Sequence, residues 1–259
     1  MYWENDGMMP LAEAVLMPIE AVRIGSAYRS CLMVKSLVGR KLGIIHAALI
    51  STRAVQKYID EIIPEVEVVH FVDDTIQCGN FACEPGVIPR KNYAKFVQAA
   101  LSQQEYGVDL ILLACSTFNR AVEYARPMID TPLLQIDRPM MDLAVRAGRR
   151  IGLLATVPTT VPASERLLRQ AAQEAGRDCE ITVCLCSEAF GVLKAGNPEK
   201  HNDMLMAEID QLSGQVDAIV MAQVSMTALE PRLTHTQVPV YNSGRTAFER
   251  VREILAARV

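Results

Sequence analysis

The feature that most constrains the fold is an internal repeat of strand beginnings. Lys41-Leu42-Gly43-Ile44-Ile45 is answered by Arg150-Ile151-Gly152-Leu153-Leu154, Asp109-Leu110-Ile111-Leu112-Leu113-Ala114 by Asp217-Ala218-Ile219-Val220-Met221-Ala222, and Pro132-Leu133-Leu134 by Pro239-Val240-Tyr241. Charged-then-apolar is how many buried strands begin, so each match alone says little. Three matches in the same order at a nearly constant offset say that the chain carries two copies of one unit. Further apolar runs at Val66–Val72 and Ile181–Leu185 fill out the two sets, and the amphipathic stretches 53–63, 92–105, 163–175 and 202–212 alternate with them. Strand–helix alternation of this kind builds mainly parallel sheets covered by helices.

The expected fold is therefore α/β, with two pseudo-symmetric Rossmann-like lobes, 41–148 and 149–244, a final helix at 245–257, and an N-terminal extension at 1–40. In open α/β sheets ligands bind beyond the carboxyl ends of the strands, so the active site is expected in the cleft between the lobes. The residues at those ends are His46, Asp73 with Asp74, Cys115-Ser116-Thr117, Thr156, Gln223-Val224-Ser225 and Asn242-Ser243. Overlaying the repeats sets Cys115 opposite Gln223 and Thr117 opposite Ser225.

Cys115 ends an apolar strand where a helix is expected to begin. Unpaired N–H groups and the positive end of a helix there would lower the thiol pKa, and with the Ser116 and Thr117 hydroxyls they would cradle a carboxylate. A thiolate beside a bound carboxylate can take a proton from the adjacent carbon or attack a carbonyl. The plainer alternatives are a small buried thiol at Cys115 and helix-capping hydroxyls at Ser116 and Thr117. Asp73 can line the cleft or belong to a solvated turn, and a loop holding Cys78 and Cys83 can reach over the cleft. His70, His201 and His235 read as structural or solvated.

Ala114-Cys115-Ser116-Thr117 after an apolar strand resembles the aspartate/glutamate racemase superfamily, as do Arg150 to Thr156 with Pro158-Thr159-Thr160 and the stretch 217–226. The resemblance spans about 41–257, and it implies two lobes with the active site between them, chemistry without a cofactor, a small carboxylic or amino acid as substrate, and a last helix packed back on the first lobe. Members of that superfamily use one cysteine per lobe, on opposite faces of the substrate carbon. Here Gln223 stands at the second position, and an amide cannot exchange a proton usefully at neutral pH. The resemblance then implies an isomerase or racemase working with Cys115, with His46 as partner acid or base and Ser116, Thr117, Gln223, Ser225 and Asp73 around the substrate. The rivals are a single-cysteine decarboxylase or lyase, and a carboxylate-binding protein without catalysis.

Composition narrows the rest. A net charge of -4 over 259 residues offers no basic surface for nucleic acid or an anionic membrane, and no stretch is apolar for long enough to span a bilayer. The acidic opening Met1-Tyr2-Trp3-Glu4-Asn5-Asp6 makes a poor signal peptide, so the cytoplasm is expected, with the seven cysteines as free thiols. Cys179, Cys184 and Cys186 fit a strand rather than a metal site, and neither metal nor cofactor is expected. A homo-oligomer is compatible with the sequence. In the extension, Leu11, Val15, Leu16, Ile19 and Val22 space out as one face of an amphipathic helix, and Met33 offers a later start.

Overall fold

A computed structural model describes residues 36–258. The helix expected over residues 11–22 lies outside the described residues. The first lobe runs β1 (Lys41–His46), α1 (Ile50–Ile62), β2 (Glu67–Val72), α2 (Asp74–Phe81), α3 (Arg90–Tyr106), β3 (Leu110–Leu113), α4 (Ala121–Ala125), β4 (Leu133–Gln135) and α5 (Arg138–Ala147). The second runs β5 (Arg150–Ala155), α6 (Val161–Glu174), β6 (Glu180–Leu185), α7 (Ser187–Lys194), α8 (Pro198–Ser213), β7 (Ala218–Met221), a long 3-10 segment (Val224–His235), β8 (Val240–Asn242) and α9 (Ser243–Ala257).

Each lobe holds one four-stranded sheet, ordered β2-β1-β3-β4 and β6-β5-β7-β8, with every pairing parallel. The central strands β3 and β7 are buried along their whole length, as parallel strands covered on both faces must be. The edge strands β2 and β6 are only half-buried.

The repeat seen in the sequence has a mechanical cause. Asp109, at the foot of β3, accepts the Lys41 N–H at 2.8 Å and pairs with Arg40 at 3.0 Å. Asp217, at the foot of β7, accepts the Arg149 and Arg150 N–H groups at 2.9 and 2.8 Å and pairs with the Arg150 guanidinium at 2.7 Å. In both lobes a carboxylate locks the starts of two neighbouring strands in register. Gly148 makes room for this in the second lobe, because a Cβ there would overlap the Asp217 side chain.

The lobes exchange their last helices. Phe248, Val251 and Leu255 of α9 pack in the first lobe's core with Leu42, Ile44 and Tyr58. Met140, Met141, Ala144 and Val145 of α5 pack in the second lobe's core with Ile151, Leu153 and Leu167. The lobe boundary expected at 148 thus cuts the chain after α5 but not the packing, since α5 belongs to the second core. Gly244 permits the matching closure of α9, where a Cβ would overlap the Tyr58 ring.

Candidate active site

The strand ends of the two lobes face a cavity of about 370 Å³. The first lobe contributes Ala48 and Ser51 after β1, Gln77 and Phe81 from α2, and Ala114 to Thr117 after β3. The second contributes Val157 and Thr160 after β5, Phe190, Leu193 and Lys194 from α7, and Gln223 to Ser225 after β7. The lining follows the internal repeat: Ser51 answers Thr160, Cys115 answers Gln223 and Thr117 answers Ser225. On the paired helices α2 and α7, Gln77 answers Phe190 and Phe81 answers Lys194.

Cys115 is the one cysteine among the described residues that lines this cavity. Its thiol points toward Gln77 Oε1 at 3.9 Å. The expected helix N-terminus is not there: residues 116–120 form turns, and α4 is a five-residue helix that starts only at Ala121. Backbone N–H groups of Phe118 and Thr117 do reach the sulfur and favour thiolate, but burial outweighs them, and with the Asp137 carboxyl nearby it pushes the thiol up to about 12. The expectation of a lowered thiol pKa is corrected accordingly: Cys115 rests as a protonated thiol at neutral pH.

Behind Cys115 lies Asp137, a buried carboxyl just after β4 that was not among the expected site residues. Ser116 Oγ donates to its Oδ1 at 2.9 Å, so the hydroxyl expected to face substrate is engaged from behind. Burial raises the Asp137 pKa to about 7, against the hydrogen bonds of Ser116, Ser243 and Asn119 that hold it down. Its Oδ2 and the Ser243 Oγ are close but lack well-formed hydrogen-bond geometry. The available signal was an acid directly after an apolar strand, in Leu134-Gln135-Ile136-Asp137.

Gln223 is held in one orientation. Its Oε1 accepts from the Thr156 backbone N–H at 2.6 Å and the Thr156 hydroxyl at 3.0 Å. Because a backbone N–H can only donate, the oxygen must face Thr156, and Nε2 is left with no partner among the described residues. The second lobe therefore presents fixed N–H donors where the first presents a thiol. Thr117 Oγ1 meets Thr160 Oγ1 at 3.0 Å across the cleft, tying the two strand ends together. Thr160 was legible as the repeat partner of Ser51 but was not singled out. Ser225 lines the cavity and is partly buried.

Two expected residues do not line the cavity. His46 is fully buried one layer behind Ser51, with Nδ1 2.6 Å from Ser51 Oγ and Nε2 2.9 Å from His70 Nδ1. Ser51 gives its own proton to the Ala48 carbonyl at 2.8 Å, so His46 Nδ1–H donates to Ser51 and Nε2 accepts from His70. Burial, with His70 beside it, lowers the His46 pKa to about 4 and keeps the ring neutral. Asp73 instead caps α2, accepting the Thr75 N–H at 2.9 Å and pairing with Lys95 at 3.0 Å. The segment expected as a loop at Cys78 is part of α2, and the loop follows it.

Residues 31–251 match the family described as Asp/Glu/Hydantoin racemase. The chain belongs to that family. Within the racemase family, a glutamate racemase of Trichodesmium erythraeum (strain IMS101) is 28% identical over 131 residues, which are 49% of this chain and 47% of that protein. A hydantoin racemase of Rhizobium meliloti is 25% identical over 154 residues, 58% of this chain and 62% of that protein. The chain thus spans roughly half of each relative's length. Among solved structures, the allantoin racemase from Klebsiella pneumoniae superposes with a TM-score of 0.64 at 19% identity, covering 85% of this chain and 89% of that one. At that identity the likeness is one of fold.

Among the described residues no group of three or more His, Cys, Asp or Glu could hold a metal ion, and no helix is long and apolar enough to cross a membrane. Cys184 lies in β6 and donates to Glu208 at 3.0 Å.

Proposed function

We propose that this racemase-family chain is a cofactor-independent isomerase acting on a small carboxylic or amino acid, with Cys115 moving the proton at the carbon beside the carboxylate. The observation that carries the reading is a cavity-facing thiol, the one such thiol among the described residues, opposed through the internal repeat by an amide whose oxygen is already engaged. Thr117, Ser225 and the Gln223 Nε2 donors hold the carboxylate oxygens, and Ser116 joins them when Asp137 is protonated and can itself donate to Ser116. Cys115 first gives its own proton up to water; as the α-proton then passes to the sulfur, negative charge moves onto those carboxylate oxygens, and fixed N–H and O–H donors stabilise it. His46 works through Ser51 as a positioning residue, and Asp73 steadies α2, which carries Gln77 and Phe81. The reducing cytoplasm is the setting in which such a thiol persists.

Replacing Cys115 by Ser is expected to lower solvent-deuterium incorporation into the substrate about 10³-fold while the melting temperature stays unchanged. Amino, hydroxy and malonic acids and hydantoins, incubated in D2O and read by NMR, supply the assay. Full activity in the Cys115→Ser variant would sink the proposal.

One observation favours a second reading, a single-cysteine decarboxylase or lyase. A thiol pushed up to about 12 arrives at the reaction carrying its proton. Loss of carbon dioxide from a malonate leaves the C–C electron pair on the α-carbon, the thiol protonates that carbon, and water returns the proton to sulfur. Release of carbon dioxide from a substituted malonate, with no exchange into monoacids, selects this reading.

A further inference from the structure

The outer half of the cavity has a different chemistry from its floor. Ile50 and Phe81 from the first lobe and Val157, Phe190 and Leu193 from the second make its walls. Ile50 and Phe81 keep 70% and 44% of their surface exposed at the mouth, so large apolar groups stand there uncovered. The single charged residue of the lining is Lys194, whose Nζ lies 5.1 Å over the Phe190 ring and has no ion-pair partner among the described residues. No Asp or Glu among the described residues lines the cavity.

These features act together. A ligand held by the floor through a carboxylate leaves its substituent among these apolar walls, where a ring gains burial and aromatic contacts with Phe81 or Phe190. An ammonium on the α-carbon would be brought beside Cys115, away from bulk water. There it would meet hydroxyls and amides and share the cavity with Lys194, while the nearest carboxyl, Asp137, stands outside the lining with Ser116 hydrogen-bonded to it. An ammonium desolvated without a carboxylate partner costs far more than a neutral amide returns.

We infer that the cavity selects a carboxylate bearing an aryl-sized apolar substituent and no α-ammonium group, so that the site rejects aspartate, glutamate and other free α-amino acids. This rests on the reading of the Cys115 cavity as the active site and narrows its substrate class. The volume of about 370 Å³ suits an acid with one ring, since ligand pockets begin near 300 Å³.

Binding separates this inference from the catalytic one, because it needs no turnover. Isothermal titration calorimetry on the full chain at pH 7 compares 3-phenylpropanoate with L- and D-phenylalanine, L- and D-glutamate, propanoate and 5-benzylhydantoin. 3-Phenylpropanoate is expected to bind at least about tenfold tighter than each of the others, the ring being responsible against propanoate and the missing ammonium against phenylalanine. Phe81→Ala should weaken it about tenfold. Lys194→Gln should weaken it about three- to tenfold and reduce its salt dependence. Unchanged melting temperatures show that both variants fold.

Tighter binding of phenylalanine or glutamate overturns the inference, as does tighter binding of the uncharged hydantoin or no binding of 3-phenylpropanoate. If 3-phenylpropanoate binds as expected but Cys115→Ser stays fully active, the catalytic reading fails and the ligand class stands. If Cys115→Ser is inactive but glutamate binds best, the ligand class fails and the catalytic reading stands.

Discussion

The two lobes share a frame, and they keep matching hydroxyls at Ser51 and Thr160 and at Thr117 and Ser225, but differ in the other polar groups they show to the cavity. Asp109 and Asp217 lock the same strands at the feet of the sheets, and α5 and α9 make the same crossing into the opposite lobe. At the other end of those strands, a thiol faces an amide, a histidine at the end of β1 answers an alanine at the end of β5, and on the lip helices a phenylalanine answers a lysine. The difference teaches that the frame is held by contacts remote from the cleft, which leaves the strand ends free to diverge. A two-fold fold can then keep its frame while one lobe ends its strand in a thiol and the other in an amide.

The most direct way to break that comparison is to restore its symmetry. Gln223→Cys puts a thiol in each lobe, and interconversion of the enantiomers, read by solvent-deuterium incorporation, should then rise by about 10²-fold. A gain of that size means the second face lacks only an acid–base group. No gain means that the donors of Gln223, lost in the variant, were required for the chemistry on either face.

The helix exchange makes a claim about stability. Phe248→Ala in α9 removes a fully buried ring from the first core and should cost about 3–5 kcal/mol in urea denaturation, while Met141→Ala in α5 should cost the second core about 2–5 kcal/mol. Each variant should unfold in one transition, because each core contains a helix from the other lobe's chain segment. Two resolved transitions would show that the lobes are energetically separate and that the exchange couples them little.

The smallest expected effect concerns Asp137, a buried acid in the first lobe. Its folded pKa is raised to about 7 from an ordinary 3.8, so the folded state holds a proton that the unfolded chain has released. The protonated carboxyl is compatible with burial, and the associated stability is fully present below pH 4 and lost as the pH rises through 7. Asp137→Asn should flatten the stability profile between those values, by up to a few kcal/mol in thermal or denaturant melts. A wild-type profile already flat over that window would place the Asp137 carboxylate in a better-solvated site than the structure gives it.

Much of this was legible in the chain before folding. Strand beginnings are short-range patterns, a charge that grips a neighbouring strand followed by residues buried on both faces, and they repeat visibly at Lys41 and Arg150 and at Asp109 and Asp217. The long helices showed through their periodicity for the same reason, and α1, α3, α6 and α8 all appear within a few residues of their expected ends. The short helices α2 and α7 did not show. Eight residues make barely two turns, and the glycine in each (Gly79 and Gly191) lowers the helical signal further. Those two helices carry Gln77, Phe81, Phe190, Leu193 and Lys194, so the aromatic wall of the cavity and its charge were not legible.

Two α/β units, polar groups gathered at their strand ends, and Cys115 set opposite Gln223 are all written in the order of residues. Periodicity, duplication and residue identity are properties of the chain and survive without coordinates. Only the tertiary structure decided which groups reach the cavity and in what state: the crossing of α5 and α9, His46 held behind Ser51, Asp73 spent on capping α2, the amide of Gln223 turned by Thr156, and a thiol kept protonated. Burial and hydrogen-bond partnership depend on what the rest of the chain brings alongside, and residues distant in sequence set both.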